Sequence, residues 1–112
     1  MINVCFTKDK RNLILKVDGH AGMAEKGQDI VCASASILAY TVAQIVTTLQ
    51  QQDKLKKKPT IEMHEGDALI VCKPRRDAYA ETLHTYSVAQ IGFALLEKNF
   101  PEYVKLTRFG TA

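Results

Sequence analysis

The sequence predicts an α+β fold in which two helices pack on one face of a mainly antiparallel sheet, in the order β-β-α-β-β-α-β. Five short segments alternate apolar and polar residues or form a brief apolar run, as strands do. In two longer segments apolar residues recur every three or four positions, as in amphipathic helices. Polar turns join consecutive strands, so hairpins should dominate the sheet.

Length and composition favour one globular domain spanning residues 1–112. Of these residues 46% are hydrophobic and 24% charged, with a net charge of +3, which excludes a disordered chain. No apolar run approaches the roughly 18 residues that a membrane span requires. The charged segment 8–11 interrupts the N-terminus too early for a secretory signal. We therefore expect a cytoplasmic protein without membrane contacts.

The first half of the chain should form a hairpin and a long helix. Residues 2–6 and 13–17 alternate in polarity, and the polar stretch 8–12 between them suits a hairpin loop. The segment 19–28 contains three glycines and breaks all periodicity, which indicates an irregular loop. A helix should follow, because one apolar stripe holds Val31, Ala35, Leu38, Val42, Ile45 and Leu49.

The second half repeats this arrangement. Residues 60–64 alternate, Glu65-Gly66-Asp67 suits a turn, and 68–72 is an apolar strand that Pro74 ends. Asp77 is a candidate N-cap for the second helix. Pro101 stops that helix, and the alternation over 103–109 predicts a last strand.

The first helix carries more apolar surface than one sheet face would cover. Ile30, Ile37 and Val46 lie beside its main stripe. Large exposed apolar patches usually mark interfaces, and two-fold dimers are the commonest soluble assembly. We therefore expect a homodimer.

Three cysteines, Cys5, Cys32 and Cys72, cannot all pair within one chain. Because no export signal is expected, reduced thiols are the default. Cys5 is interpreted as a structural residue on the second face of the sheet, and Cys72 as a small buried hydrophobe. His64 and His84 are interpreted as surface or packing residues. Because the chain contains no CxxC and no closely spaced His–Cys pair, we expect no metal and no cofactor.

Cys32 has a different setting from the other two thiols. It follows Asp29 by three residues and is interpreted as part of the first helical turn. The free N–H groups and partial positive charge of a helix N-terminus stabilise a thiolate. A thiolate attacks carbonyl carbons, and the same N–H groups could stabilise an oxyanion beside it.

Three further residues could assist Cys32. His20 precedes it by twelve residues, and the intervening loop could bring imidazole to sulfur as a general acid and base. Alternatively, this histidine and this cysteine never meet. Asp29 could cap the helix, or orient His20 or a substrate amine. Ser36 lies one helical turn after Cys32 and could bond the thiol, the histidine, a substrate carbonyl or its own helix backbone.

Basic residues form two clusters in the sequence, Lys54-Lys56-Lys57-Lys58 and Lys73-Arg75-Arg76. Charge runs of this kind are usually solvated loop ends. They could instead attract RNA or a component bound to RNA. No aromatic residues lie among the lysines to stack on bases.

Two motifs resemble the ribosomal-processing cysteine protease family. They are Gly19-His20-Ala21-Gly22 and the run from Gly27 to Ser36, GQDIVCASAS. The resemblance implies a small cytoplasmic endopeptidase that forms homodimers and removes the N-terminal extension of a large-subunit ribosomal protein precursor. It implies His20 as general acid/base and Cys32 as nucleophile, with Gly19, Asp29 and Ser36 as supporting residues.

Two other functions remain open at this stage. The chain could be a non-catalytic, ribosome-associated assembly module that uses the lysine clusters near RNA. It could also be a small thiol-redox protein, although no resolving cysteine lies near Cys32 in sequence. With the family assignment, the expected partner is the ribosomal precursor, and no nucleic acid is expected as a direct substrate.

Overall fold

The order of elements is the one that the sequence predicts. The computed structural model describes residues 1–19 and 26–108, with residues 26–29 described by their backbone alone. The elements are β1 (Ile2–Asp9), β2 (Asn12–Gly19), α1 (Lys26–Gln51), β3 (Thr60–His64), β4 (Asp67–Cys72), a 3-10 turn (Arg76–Ala78), α2 (Tyr79–Asn99) and β5 (Val104–Thr107).

The five strands form one mixed sheet in the order β3-β4-β2-β1-β5. Three neighbouring pairs are antiparallel, and β5 pairs in parallel with β1 at one edge. It follows that β2 and β3 run in the same direction, as do β4 and β5. A helix joins each of these two pairs, which is the kind of crossover that parallel strands require. The expectation of a mainly antiparallel sheet is confirmed.

Both helices pack on one face of the sheet, as predicted. Inward-facing residues of β1, β2 and β4 alternate with exposed or half-buried ones, as the two-residue period of a strand dictates. Phe6 lies at the centre, with its ring centroid 6.4 Å from that of Tyr86 and 5.8 Å from that of Phe93. Cys5 points to the opposite face and is half-buried there.

Both helix starts differ from the sequence-based prediction. α1 begins at Lys26, so residues 26–28 belong to the helix and Asp29 is its fourth residue rather than its cap. Asp77 lies in the 3-10 turn, and Ala78 occupies the cap position of α2 without a side-chain hydrogen bond.

α1 contains no uninterrupted apolar run of the length that a membrane span requires, but it passes a broader test for such a span. Ile30–Gln51 is long and apolar enough to cross one by length and composition. The strict count of apolar runs missed this because Ser, Thr and Gln interrupt the runs without adding charge. Core helices can pass the same test. In α1, Val31, Val42 and Val46 are fully buried in the core.

Candidate active site

A cleft of about 540 Å³ lies between the first half of α1 and the turn that joins β3 to β4. Buried alanines, Ala35, Ala39 and Ala68, contribute to its lining, together with Met63. The polar lining includes Cys32, Ser36, Tyr40, His64, Glu65 and Asp67. The cleft therefore joins an apolar surface, suited to side chains of a ligand, with polar groups that could bond a peptide backbone.

One flank of α1 supplies three of the polar residues. Cys32, Ser36 and Tyr40 are spaced by four residues, so they lie one above another on the helix surface. Cys32 is half-buried, whereas the side chain of Tyr40 is 56% exposed. The sequence predicted that Cys32 and Ser36 share a face, but it missed Tyr40, which the same spacing could have indicated.

The hydroxyl of Ser36 makes no hydrogen bond to any residue that the structure describes. Other hydroxyls of α1 do bond the helix backbone: Ser34 Oγ donates to the Ile30 carbonyl oxygen at 2.7 Å, and Thr41 Oγ1 to that of Ile37 at 2.6 Å. The alternative in which Ser36 merely bonds its own helix is therefore not seen. Ser36 lines the cleft, so its hydroxyl can bond a ligand there.

The position of Cys32 in the helix differs from the prediction. Because the described part of α1 begins at Lys26, at least six helical residues precede Cys32, which therefore lies beyond the first turn. The field of a helix terminus falls off within the first turn, and the unpartnered N–H groups belong to the first four residues. The predicted first-turn setting of this thiol is therefore wrong. The fold places Cys32 in the wall of the cleft.

Gly19 forms the end of β2 and part of the cleft. Its φ is +97°, and a side chain there would collide with the Met1 carbonyl oxygen, so glycine is required. Its amide donates to the Gly66 carbonyl oxygen at 3.0 Å, which ties β2 to the turn after β3. His20 follows directly but lies outside the described residues, as does the side chain of Asp29. The Cys32–His20 dyad therefore stays a prediction.

The other thiols lie away from the cleft. Cys72 Sγ is 3.6 Å from the Tyr86 hydroxyl in the core, and burial raises the pKa of this thiol despite that hydrogen bond. Its predicted role as a buried small residue is confirmed. Cys5 lies on the outer sheet face. No second described thiol lines the cleft with Cys32, so a thiol-redox pair there has no support.

His64 reaches the cleft, although its sequence suggested a plain surface position. It is exposed, at the end of β3, and pairs in register with Asp67. Asp67 in turn pairs with Asp18, next to Gly19, and this long-range pairing brings the turn to the site. Local sequence could not reveal it. Among the described residues, no group of three His, Cys, Asp or Glu is placed to hold a metal.

A half-buried thiol on a helix flank, open to a cleft with apolar and hydrogen-bonding walls, is the arrangement of a cysteine-dependent enzyme. The family model described as cysteine protease Prp matches residues 1–105. The chain therefore belongs to the Prp family and is a cysteine protease. A comparison with curated protein sequences gives no significant match.

Solved structures share the fold. An essential ribosomal processing protease Prp from S. aureus in complex with a substrate peptide is 22% identical, with a TM-score of 0.72 over 96% of this chain and 99% of that one. Its complex with a covalently linked product peptide is 23% identical, with a TM-score of 0.71 and the same coverage. SMU.848 from Streptococcus mutans is 24% identical, with a TM-score of 0.69 over 97% and 94% of the two chains.

Proposed function

We propose that this protein is an endopeptidase that removes the N-terminal extension of a large-subunit ribosomal protein precursor. One observation carries the proposal: Cys32 shares a cleft with Ser36 and with Gly19, the residue before His20. Membership of the Prp family supplies the class of reaction. The structural similarity to S. aureus ribosomal processing proteases supports this class of substrate.

In the proposed mechanism the Cys32 thiolate attacks the carbonyl carbon of the scissile bond and forms a tetrahedral oxyanion. His20 takes the thiol proton and gives it to the leaving amine, so that the C–N bond breaks and a thioester remains. Water, deprotonated by the same histidine, attacks the thioester carbonyl carbon. The C–S bond then breaks, the carboxyl product leaves, and the histidine returns the proton to the Cys32 sulfur. The Ser36 hydroxyl donates a hydrogen bond to the substrate or to the dyad. Asp29 orients His20 or the substrate amine.

Gly19 has a positioning role in this mechanism. Its amide bond to Gly66 and its tight approach to Met1 fix the end of β2. In this proposal Gly19 positions the chain directly before His20. Residues of the turn after β3, Glu65 and Asp67, contribute polar groups on the opposite side of the cleft.

The proposal is tested by incubating the full chain with an extended ribosomal precursor and determining the new N-terminus by mass spectrometry. Cys32→Ser should abolish cleavage, by at least roughly a thousandfold, because a hydroxyl is a far weaker nucleophile at neutral pH. Thiol alkylation should have the same effect. His20→Ala should lose a comparable share of activity with its fold intact.

Cys5→Ser is the matched control, because Cys5 lies on the outer sheet face. It should cleave at the wild-type rate and stay sensitive to alkylation. Cleavage by Cys32→Ser at the wild-type rate would overturn the assigned nucleophile. A precursor left intact by the wild-type protein would overturn the assigned substrate.

We further propose that the protein acts as a cytoplasmic homodimer that uses the outer surface of its two helices. Ile30 and Ile37 of α1 are 57% and 62% exposed, and Ile91 and Leu95 of α2 are 61% and 55% exposed. A groove of about 450 Å³ between the helices is lined by Ile37, Leu38, Leu95 and Leu96, among others. Contiguous apolar exposure of this kind usually marks an interface.

The contribution of Val46 to this surface was predicted incorrectly. Val46 is fully buried in the core, because its position on α1 faces the sheet. The exposed apolar residues of the two helices form one surface, which we call the apolar patch (Ile30, Ile37, Ile91 and Leu95). Val88, Ile91 and Leu95 of α2 are all more than half exposed.

A further inference from the structure

The two basic clusters of the sequence form one surface in the fold, which we call the basic edge (residues 54–58 and 73–76). The Lys56 amide donates to the Lys73 carbonyl oxygen at 2.7 Å, and the Arg75 amide to that of Lys54 at 2.8 Å. Between these bonds Leu55 and Pro74 form a β-bridge and are buried. The lysines and arginines therefore project from a backbone that is fixed by pairing, rather than from two separate loop ends.

Most of this charge is unneutralised. Lys54 pairs with Glu81 at 3.1 Å and Arg75 with Asp53 at 3.0 Å. The other cations of the edge form no ion pair with any residue in the described part of the chain. They are Lys56, Lys57, Lys58, Lys73 and Arg76.

The charge of the whole chain is concentrated here. The basic edge has seven cationic side chains and three neighbouring anions, Asp53, Asp77 and Glu81. Its local net charge is therefore +4. The chain as a whole carries +3, so the remaining residues sum to −1. A field of one sign is thus confined to one end of the molecule, where it can attract a polyanion.

The turn between β1 and β2 lies at the same end of the sheet. Leu13 pairs with Cys72 in register, so the turn residues just before β2 and the basic segment just after β4 leave the sheet together. The turn consists of Lys10 and Arg11, both exposed and without an ion pair to any described residue. These two cations continue the charged surface beyond the basic edge.

We propose that the basic edge binds the phosphate backbone of structured RNA without reading its sequence. Lysine is a compact point charge that suits phosphates, and phosphate contacts supply most sequence-independent affinity for nucleic acids. The edge exposes no aromatic side chain for stacking on unpaired bases, so a double-stranded region fits better than a single strand. It also exposes no large apolar anchor of the kind that protein interfaces and membrane-bound helices use.

The basic edge lies far from the cleft. Cys32 lies near the start of the described part of α1 and the edge begins just after the last turn, so about 30 Å of helix separates them at 1.5 Å per residue. RNA on the edge would leave the cleft free. The choice of RNA rests on the proposed function, since a ribosomal protein precursor is presented to the protease where RNA is abundant. RNA docking would then raise the local concentration of protease around its substrate.

Fluorescence anisotropy with a labelled 20-base-pair RNA duplex tests the proposal, using the full chain in 50 to 200 mM salt. Five unpaired cations predict that log K falls against log[salt] with a slope of about −4.5, or roughly 500-fold over this range. Replacing Lys56, Lys57 and Lys58 by Gln should reduce the slope by about three and weaken binding at 50 mM salt at least tenfold.

A second triple variant controls for net charge. Lys16, Lys98 and Lys105 are exposed outside the basic edge, so changing them to Gln removes the same charge from other places. This variant should keep at least half of the wild-type affinity. Equal losses in the two variants would overturn the proposal, as would the absence of saturable binding at 50 mM salt. Tighter binding to polyglutamate or to phosphatidylglycerol vesicles than to the duplex would also overturn it.

Cleavage of a short, free precursor peptide separates this proposal from the proposed function. The variant with Lys56, Lys57 and Lys58 changed to Gln should cleave that peptide at the wild-type rate, because these residues lie far from Cys32. If the wild-type protein cleaves the peptide but does not bind RNA, the RNA proposal fails alone. If it binds RNA but leaves the precursor intact, the proposed substrate fails alone.

Discussion

At the scale of single residues, two serines of α1 differ in what their hydroxyls bond. Ser34 donates to the helix backbone at 2.7 Å and faces the groove between the helices. Ser36 lines the cleft with its hydroxyl unbonded to any described residue. The two residues are otherwise chemically identical and lie half a turn apart, so they form a natural pair for testing the site.

Ser36→Ala should lower kcat/KM about 5- to 150-fold, because a hydrogen bond to a polar or charged group is worth about 1–3 kcal/mol. Stability should change by less than about 0.5 kcal/mol, since no bond within the described fold is lost. Ser34→Ala should leave kcat/KM unchanged. Peptide-cleavage kinetics and urea unfolding of both variants provide the check. Equal activity losses in the two would contradict a role for Ser36.

The buried pair of Cys72 and Tyr86 predicts that stability depends on alkaline pH. Burial raises the pKa of both groups above their ordinary values of 9.0 and 10.0, and the proximity of Cys72 adds to the rise for Tyr86. The unfolded chain therefore loses these protons at a lower pH than the folded one. The free energy of unfolding should fall above about pH 9, by up to about 1.4 kcal/mol per pH unit for each group.

Urea unfolding between pH 7 and 10.5 measures this dependence. Tyr86→Phe should flatten the part of the decline that begins near pH 10, whereas Tyr40→Phe, a change at an exposed position, should keep it. A free energy of unfolding that stays constant up to pH 10.5 in the wild-type protein would contradict the assignment.

At the scale of elements, the strands follow from sequence more directly than the helix ends. The two-residue period of β1 and β2 places Val4, Leu15 and their neighbours correctly, because one-sided burial fixes which face each residue takes. The start of α1 was missed because Gly22 and Gly27 indicate a loop by local propensity. Gly27 is instead helical, and no periodicity exists within a first turn that could reveal it.

The candidate site was predictable in part for the same reason. Cys32 and Ser36 are close in sequence, so helical spacing alone places them together. The contributions of His64 and Asp67 depend on how β4 pairs with β2, which no local pattern encodes. Tyr40 could have been found by extending the same helical spacing. The cleft residues in the turn between β3 and β4 could not.

Gly92 of α2 faces Leu38 of α1 where the two helices pack. A Cβ at this position would lie 2.7 Å from Leu38 Cδ2, so a larger residue must displace that side chain. Gly92→Val should therefore lower the free energy of unfolding by about 1–3 kcal/mol. Ala80→Val introduces the same side chain at an exposed position of α2 and should cost no more than about 0.7 kcal/mol. Urea unfolding of both variants measures the difference.

At the scale of the whole molecule, three regions have different roles in the proposals. The cleft lies at one end of the sheet, the basic edge at the other, and the apolar patch covers the outer side of the helices. Because the three do not overlap, a dimer formed through the helices would leave both ends of each protomer open.

Sedimentation at micromolar concentration should give twice the protomer mass of 12.5 kDa. Combining Ile37→Glu with Leu95→Glu should yield monomers without loss of stability, since both side chains are more than half exposed. Thr7→Glu, an exposed change on the outer sheet face, should leave the dimer intact. A wild-type protein that sediments as a monomer would rule out the proposed interface.

The start of β1 has a practical consequence for how the protein is handled. Ile2 lines the cleft, and its amide is held by the Tyr103 carbonyl oxygen at 2.7 Å. An affinity tag fused ahead of Met1 would emerge beside Cys32 as a tethered competitor, at an effective concentration in the millimolar range. β5 runs parallel to β1 and away from that end, so a purification handle on its carboxyl side would leave the cleft accessible.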